Sequence, residues 1–263
     1  MKTANYIISF LLTFALSLFV ISSCDNAPIR KIKQKVRSVR NITIPKNELK
    51  KQEWIFNQYK SYIFGVDFSH HQGLIEWSKV SEIKFSIPVA FIVVRATMGT
   101  KRKDNYFTHN WKSAIEQGFV RGAYHYYRPN ENSTKQANNY IKCVKLKKGD
   151  LPPILDIEKT SRRQSLRSLR IGLKNWLNII EKHYGVKPII YTGDKFYRSY
   201  LKGHGFEEYI LWIANYNRVK EPQTNIWSFW QFSEKGKIKG VNEYIDLNVF
   251  KGNNKELKQL LIK

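Results

Sequence analysis

From residue 61 to the C-terminus, short apolar clusters alternate with longer segments whose apolar residues recur at helical spacing. The clusters predict buried strands at 62–69, 88–96, 119–127, 154–158, 187–192, 209–214, 226–232 and 245–249. Between them, helices are predicted at 106–117, 131–146 and 165–184, with a last one at 256–262. The third is the clearest, because Leu166, Leu169, Leu173, Trp176, Leu177, Ile180 and Tyr184 form one continuous stripe that Gly185 ends. Apolar strands alternating with helices imply parallel strands covered on both faces. Eight such strands in about 200 residues fit a closed barrel that lacks three of its outer helices.

The N-terminal 60 residues follow a different pattern. Lys2 precedes an apolar run from Tyr6 to Val20, and Ile21-Ser22-Ser23-Cys24 follows at once. The run is short for a membrane span and reads as a secretory signal. A small residue before a cysteine matches bacterial lipoprotein processing, so residues 1–23 are the expected signal peptide and Cys24 the lipidated new N-terminus. Between Arg30 and Lys51 there are nine Lys or Arg residues and a single acid, Glu48. Residues 24–60 are therefore read as a basic, mostly solvated tether close to anionic lipid, within which the pattern at 32–39 suits a short amphipathic helix. The barrel is assigned to 61–263. The expected location is the bacterial cell envelope, anchored by lipid at the periplasmic face or cell surface.

Charge and cysteine content narrow the chemistry. A net charge of +24 points to an anionic partner, whether wall polymer, headgroup or nucleic acid. No RNP, helix-turn-helix or zinc signature accompanies it, and an exported chain argues against nucleic acid. Two cysteines, Cys24 and Cys143, give neither a disulfide framework nor a four-cysteine metal site. His70 and His71 are adjacent and expected to point in opposite directions, a poor metal pair, so no metal or cofactor is expected.

The acids carry the functional signal. Leu151-Pro152-Pro153-Ile154-Leu155-Asp156-Ile157-Glu158 reads as a strand entered through prolines and ending in two carboxylates on one face. Burial and mutual repulsion should separate their proton affinities, as acid-catalysed glycosidic cleavage requires. Barrel enzymes work at the C-terminal ends of their strands. Asp67 lies there on the first strand, and barrel closure brings Asp246, at the start of the last strand, to the same side of the mouth.

Taken together, these segments resemble the family 25 glycoside hydrolases, the Chalaropsis-type lysozymes. The matching pieces are Gly65-Val66-Asp67-Phe68-Ser69, Phe91-Ile92-Val93-Val94-Arg95-Ala96-Thr97, Gly122-Ala123-Tyr124-His125-Tyr126 and Pro153 to Glu158. Ile190-Tyr191-Thr192-Gly193, Leu211-Trp212-Ile213-Ala214, Trp230-Gln231-Phe232-Ser233 and Asp246-Leu247-Asn248-Val249-Phe250 complete the set, in the family's order.

The resemblance implies a flattened, TIM-like (β/α)5(β)3 barrel. The implied activity is cleavage of the β-1,4 bond between N-acetylmuramic acid and N-acetylglucosamine in peptidoglycan, by a monomer needing no cofactor. By motif, Glu158 is the proton donor and Asp156 its partner, with Asp67 and Asp246 completing the acidic cluster. Tyr124, Tyr126, Tyr191, Trp230, Gln231 and Asn248 are the expected substrate contacts, the aromatic ones by stacking on sugar faces. Either an enzyme carboxylate or the substrate's acetamido group can serve as nucleophile. The family's Lys-Ala-Thr-Glu-Gly is replaced by Arg95-Ala96-Thr97-Met98-Gly99, so altered subsite contacts are expected. The alternative function is a catalytically silent wall-binding lipoprotein on the same fold. Chitinase-type barrels are excluded, because their two further acids would fall at Leu151 and Ile154.

Overall fold

The computed structural model describes residues 42–217 and 220–263. The expected signal peptide, the Cys24 expected to be lipidated and the amphipathic helix considered at 32–39 lie outside the described residues. Eight strands close a barrel: β1 (Ile63–Phe68), β2 (Phe91–Met98), β3 (Val120–Tyr126), β4 (Ile154–Asp156), β5 (Ile189–Gly193), β6 (Ile210–Ala214), β7 (Phe229–Gly236) and β8 (Ile245–Phe250). Strands β1 to β7 run parallel to their neighbours in sequence order up to the β6–β7 pair. β8 runs antiparallel to both β7 and β1 and completes the circle. The longer helices among the described residues are α1 (Lys46–Gln58), α2 (Phe107–Glu116), α3 (Ser133–Cys143), α4 (Leu166–Tyr184) and α5 (Asn254–Leu260).

Local chemistry sets the helix limits. Ser165 caps α4 by accepting from Ser168 N–H, and Gly185 ends it at φ +69°, a conformation only glycine adopts without cost. Asn253 and Glu256 form a reciprocal capping box on α5.

Strand alternation sorts the side chains into two layers. Ile63, Phe91, Ile154, Ile189, Trp212, Phe229 and Phe250 point inward and fill the barrel's interior. Phe64, Val66, Ile92, Val94, Leu155, Ile190, Leu211, Trp230 and Leu247 point outward, beneath the helices. The same inward alternation continues through Asp67, Tyr124, Asp156, Gln231 and Asn248.

Two expectations need correction. The strand expected at 226–232 is Phe229–Gly236; Ile226 is exposed and precedes it. The tether boundary also shifts, since 46–58 is helix α1 and not solvated linker. Ile55 and Phe56 are buried, and Phe56 packs edge-on against Phe64 and Phe232 at 4.9 and 5.6 Å. The basic composition misled because α1's lysines lie mostly on the outer face, while Gln52 is buried and donates to Ser233 Oγ at 3.1 Å. Phe56→Ala should therefore destabilise the barrel by about 3–5 kcal/mol, read as a lower midpoint in denaturant unfolding.

Candidate active site

The inward residues at the C-terminal ends of the parallel strands line a cleft of about 300 Å³. Asp67, Tyr124, Asp156, Glu158, Tyr191, Trp212, Gln231, Glu234 and Asp246 are among its walls. Asp246 reaches this end because β8 is antiparallel: the start of β8 meets the end of β1, and Asp67 pairs with Asp246 in register.

Asp67 is held by two amides. Gln231 Nε2 and Asn248 Nδ2 each donate to its Oδ2 at 2.8 Å. The orientation of both amides is fixed by their other ends. Tyr191 O–H donates to Gln231 Oε1 at 2.9 Å, joined there by the Tyr216 hydroxyl, and Trp212 Nε1–H donates to Asn248 Oδ1 at 2.9 Å. An indole N–H can only donate, so the Asn248 amide nitrogen must face Asp67.

All four family acids hold their protons more tightly than a free carboxyl. Burial raises Asp67 to about 6, opposed by the hydrogen bonds from Asn248 and Gln231. Asp246 is pushed well above the usual range, by burial first and then by the facing Asp67 charge. Asp156 is also pushed well up, by burial and then by the charges of Glu158 and Asp67. Glu158 is raised by loss of surrounding water, although its residue is exposed at the mouth; Lys159 acts in the opposite direction. Asp156 Oδ1 is buried without a hydrogen-bond partner. Arg95 lowers Asp156, but the guanidinium is engaged elsewhere, with NH2 at 2.9 Å from Asp104 Oδ2.

The expected substrate contacts divide. Tyr124, Tyr191 and Gln231 line the cleft, whereas Tyr126 lines a neighbouring pocket. Asn248 is fully buried behind Asp67 and acts through it. Trp230 is a correction: it is fully buried in the outer layer and donates to Asn215 O at 2.8 Å. Alternation explains this, because Gln231 faces inward and its neighbour must face outward. The adjacent histidines are a second correction. They sit in a turn, not a strand, and their rings lie 4.0 Å apart.

Glu234 and Trp212, which were not among the expected site residues, also line the cleft, as does Tyr216. Simple alternation from Gln231 would turn Glu234 outward. A register shift between Gln231 and Ser233 reverses the phase, so Ser233 meets α1 by donating to Glu48 Oε1 at 2.6 Å, and Glu234 faces the acids. Only a bulge signal in the sequence could have revealed it.

Known proteins resemble this chain in sequence and in fold. A sequence profile described as Glycosyl hydrolases family 25 matches residues 66–241. An uncharacterized protein, YegX, from Escherichia coli strain K12 is 38% identical over 198 residues, spanning 74% of this chain and 72% of its own length. Lysozyme M1 from Streptomyces globisporus is 32% identical over 215 residues, spanning 76% of this chain and 71% of its own. Among solved structures, a family 25 glycosyl hydrolase from Bacillus anthracis aligns with a TM-score of 0.68 at 30% identity, covering 76% of this chain and 94% of that one. A bacterial lysozyme from Streptomyces coelicolor aligns at 0.67 with 28% identity, covering 76% and 96%. The chain belongs to glycosyl hydrolases family 25.

Proposed function

We propose that this protein is a lysozyme that cleaves the β-1,4 bond between N-acetylmuramic acid and N-acetylglucosamine in peptidoglycan. The observation that carries the reading is the gathering of four proton-retaining carboxyl groups at the open end of the barrel. Glu158 is the acid of the closely coupled pair that reaches solvent, so it is placed to protonate the leaving oxygen. Asp156 lies deeper and holds its proton more firmly. Its partnerless Oδ1 suits the N–H of a substrate acetamido group, which would be turned so that its carbonyl oxygen approaches the anomeric carbon. The Asp67/Asp246 pair, which keeps one proton between its two carboxyls, supplies a single negative charge, carried by Asp67, beneath the developing cationic sugar.

We further propose that the protein is exported and anchored in the cell envelope through lipid on Cys24, on the strength of the apolar run and Ser22-Ser23-Cys24. The basic surface would then favour approach to anionic wall material.

Three measurements test these readings. Glu158→Gln should reduce release of reducing ends from purified peptidoglycan by roughly 10³-fold or more, with strand binding retained. Unchanged turnover would remove the acid assignment.

Asp156→Asn should lower activity yet raise stability. Asp156 binds its proton more tightly folded than unfolded, so its contribution is fully present below pH 3.8 and is lost as pH rises through the folded value. The Asn variant escapes that loss. Its Tm at pH 7.5 should exceed that of the parent by roughly 2–8 °C, for about 1–2 kcal/mol, and the gain should shrink towards pH 4.

Cys24→Ser should release the protein from the detergent-extracted membrane fraction into the soluble one. Persistence in the membrane would refute the lipid anchor.

A further inference from the structure

Beside the catalytic cleft lies a second pocket of about 500 Å³, lined by Tyr126, Tyr127, Arg128, Pro129, Asn130, Glu131, Lys159, Thr160, Arg162 and Arg163. The two share a wall. Glu158 lines the cleft while the next residue, Lys159, lines the pocket, and the Tyr126 hydroxyl senses the charges of Glu158 and Asp156.

The pocket's charge is one-sided. It gathers four cations and one acid, and that acid is committed: Glu131 accepts from Thr100 N–H at 2.6 Å and pairs with Arg128 at 3.3 Å. Lys159, Arg162 and Arg163 form no ion pair among the described residues. The loop that bears the two arginines has internal support, since Ser161 Oγ accepts from Arg163 N–H at 2.8 Å and is tied to the Asn130 side chain.

Where a peptide is attached, the lactyl carboxyl of muramic acid is tied up as an amide, so the sugar chain itself carries no charge for such a pocket to bind. The anions of a peptidoglycan strand are the carboxylates of the short peptides attached to its muramic acid residues, close to the bond being cut. Guanidinium groups match carboxylates through paired, charge-assisted hydrogen bonds. We propose that the Lys159/Arg162/Arg163 pocket is a subsite for the carboxylates of the peptide attached to the sugar chain, so that the protein distinguishes peptide-bearing strands from bare ones. This rests on the lysozyme reading above.

The test separates binding from turnover by working in the full-length Glu158→Gln protein. Affinity is measured for phosphate-free glycan strands bearing peptides and for the same strands after an amidase has removed the peptides and the freed lactyl carboxylates have been capped as methylamides. The peptide-bearing strands should bind about tenfold more tightly. Arg162→Glu/Arg163→Glu should collapse that ratio to about one, and Arg162→Lys/Arg163→Lys should keep most of it. A ratio near one in the parent, or a ratio that survives charge reversal, overturns the subsite while leaving the lysozyme reading intact. Failure of both kinds of strand to bind at all refutes both readings.

Discussion

The site depends on one geometric fact: the barrel closes through an antiparallel strand. In an all-parallel barrel the start of the eighth strand would lie at the opposite end from the acids. Reversal of β8 sets Asp246 against Asp67 in register and puts Asn248, two residues on, within reach of the same carboxylate. Two buried carboxyls that face one another cannot both ionise cheaply, so the pair retains a proton. Trp212, Tyr191 and Tyr216 then fix which way Asn248 and Gln231 point, and that choice makes Asp67 the acceptor. The acidic end of the cleft is thus determined by a donor-only indole and two phenols that line the same cleft.

Much of this was legible in the sequence because a strand has period two. Once Asp156 and Glu158 were read as sharing a face, every other inward residue followed from the same rule, provided its strand was regular. The rule was available for Trp230 too, where an expected sugar contact is an outward core residue. It failed for Glu234, where the shift after Gln231 reverses the phase. The adjacent histidines are a similar case: opposite orientation holds on a strand, and they occupy a turn. Helix α1 was hidden by composition. Its lysines suggested solvent, while the burial of Ile55 and Phe56 depends on partners far along the chain, which no local pattern reveals.

That hidden helix has a place in the site. Glu48 and Gln52 hold Ser233 at the irregular step of β7, and Lys51, paired with Glu48 at 2.9 Å, lies 3.5 Å from the carbonyl of Tyr216. The segment that precedes the barrel therefore braces the strand presenting Gln231 and Glu234, along with the backbone that carries one of Gln231's phenol donors. A strand irregularity supported only by its neighbours would be free to relax; here it is pinned from behind.

The treatment of carboxylates at the two ends of the barrel differs in a way that bears on mechanism. Asp150, which precedes β4, receives Arg121 through two hydrogen bonds at 2.7 and 3.2 Å, and Arg121 also lies 3.8 Å from the Trp111 ring. That acid is neutralised where it is buried, as structure alone requires. At the cleft, Arg95 is the nearby cation, and Asp104 takes most of its attention. Leaving the cleft acids so weakly compensated costs folding stability, the pattern expected where carboxyl groups are kept for chemistry and not for structure. Glu158 shows the balance most clearly. Loss of water raises its proton affinity while Lys159 beside it lowers it, so the acid nearest solvent is the one at which burial and a neighbouring cation oppose each other directly.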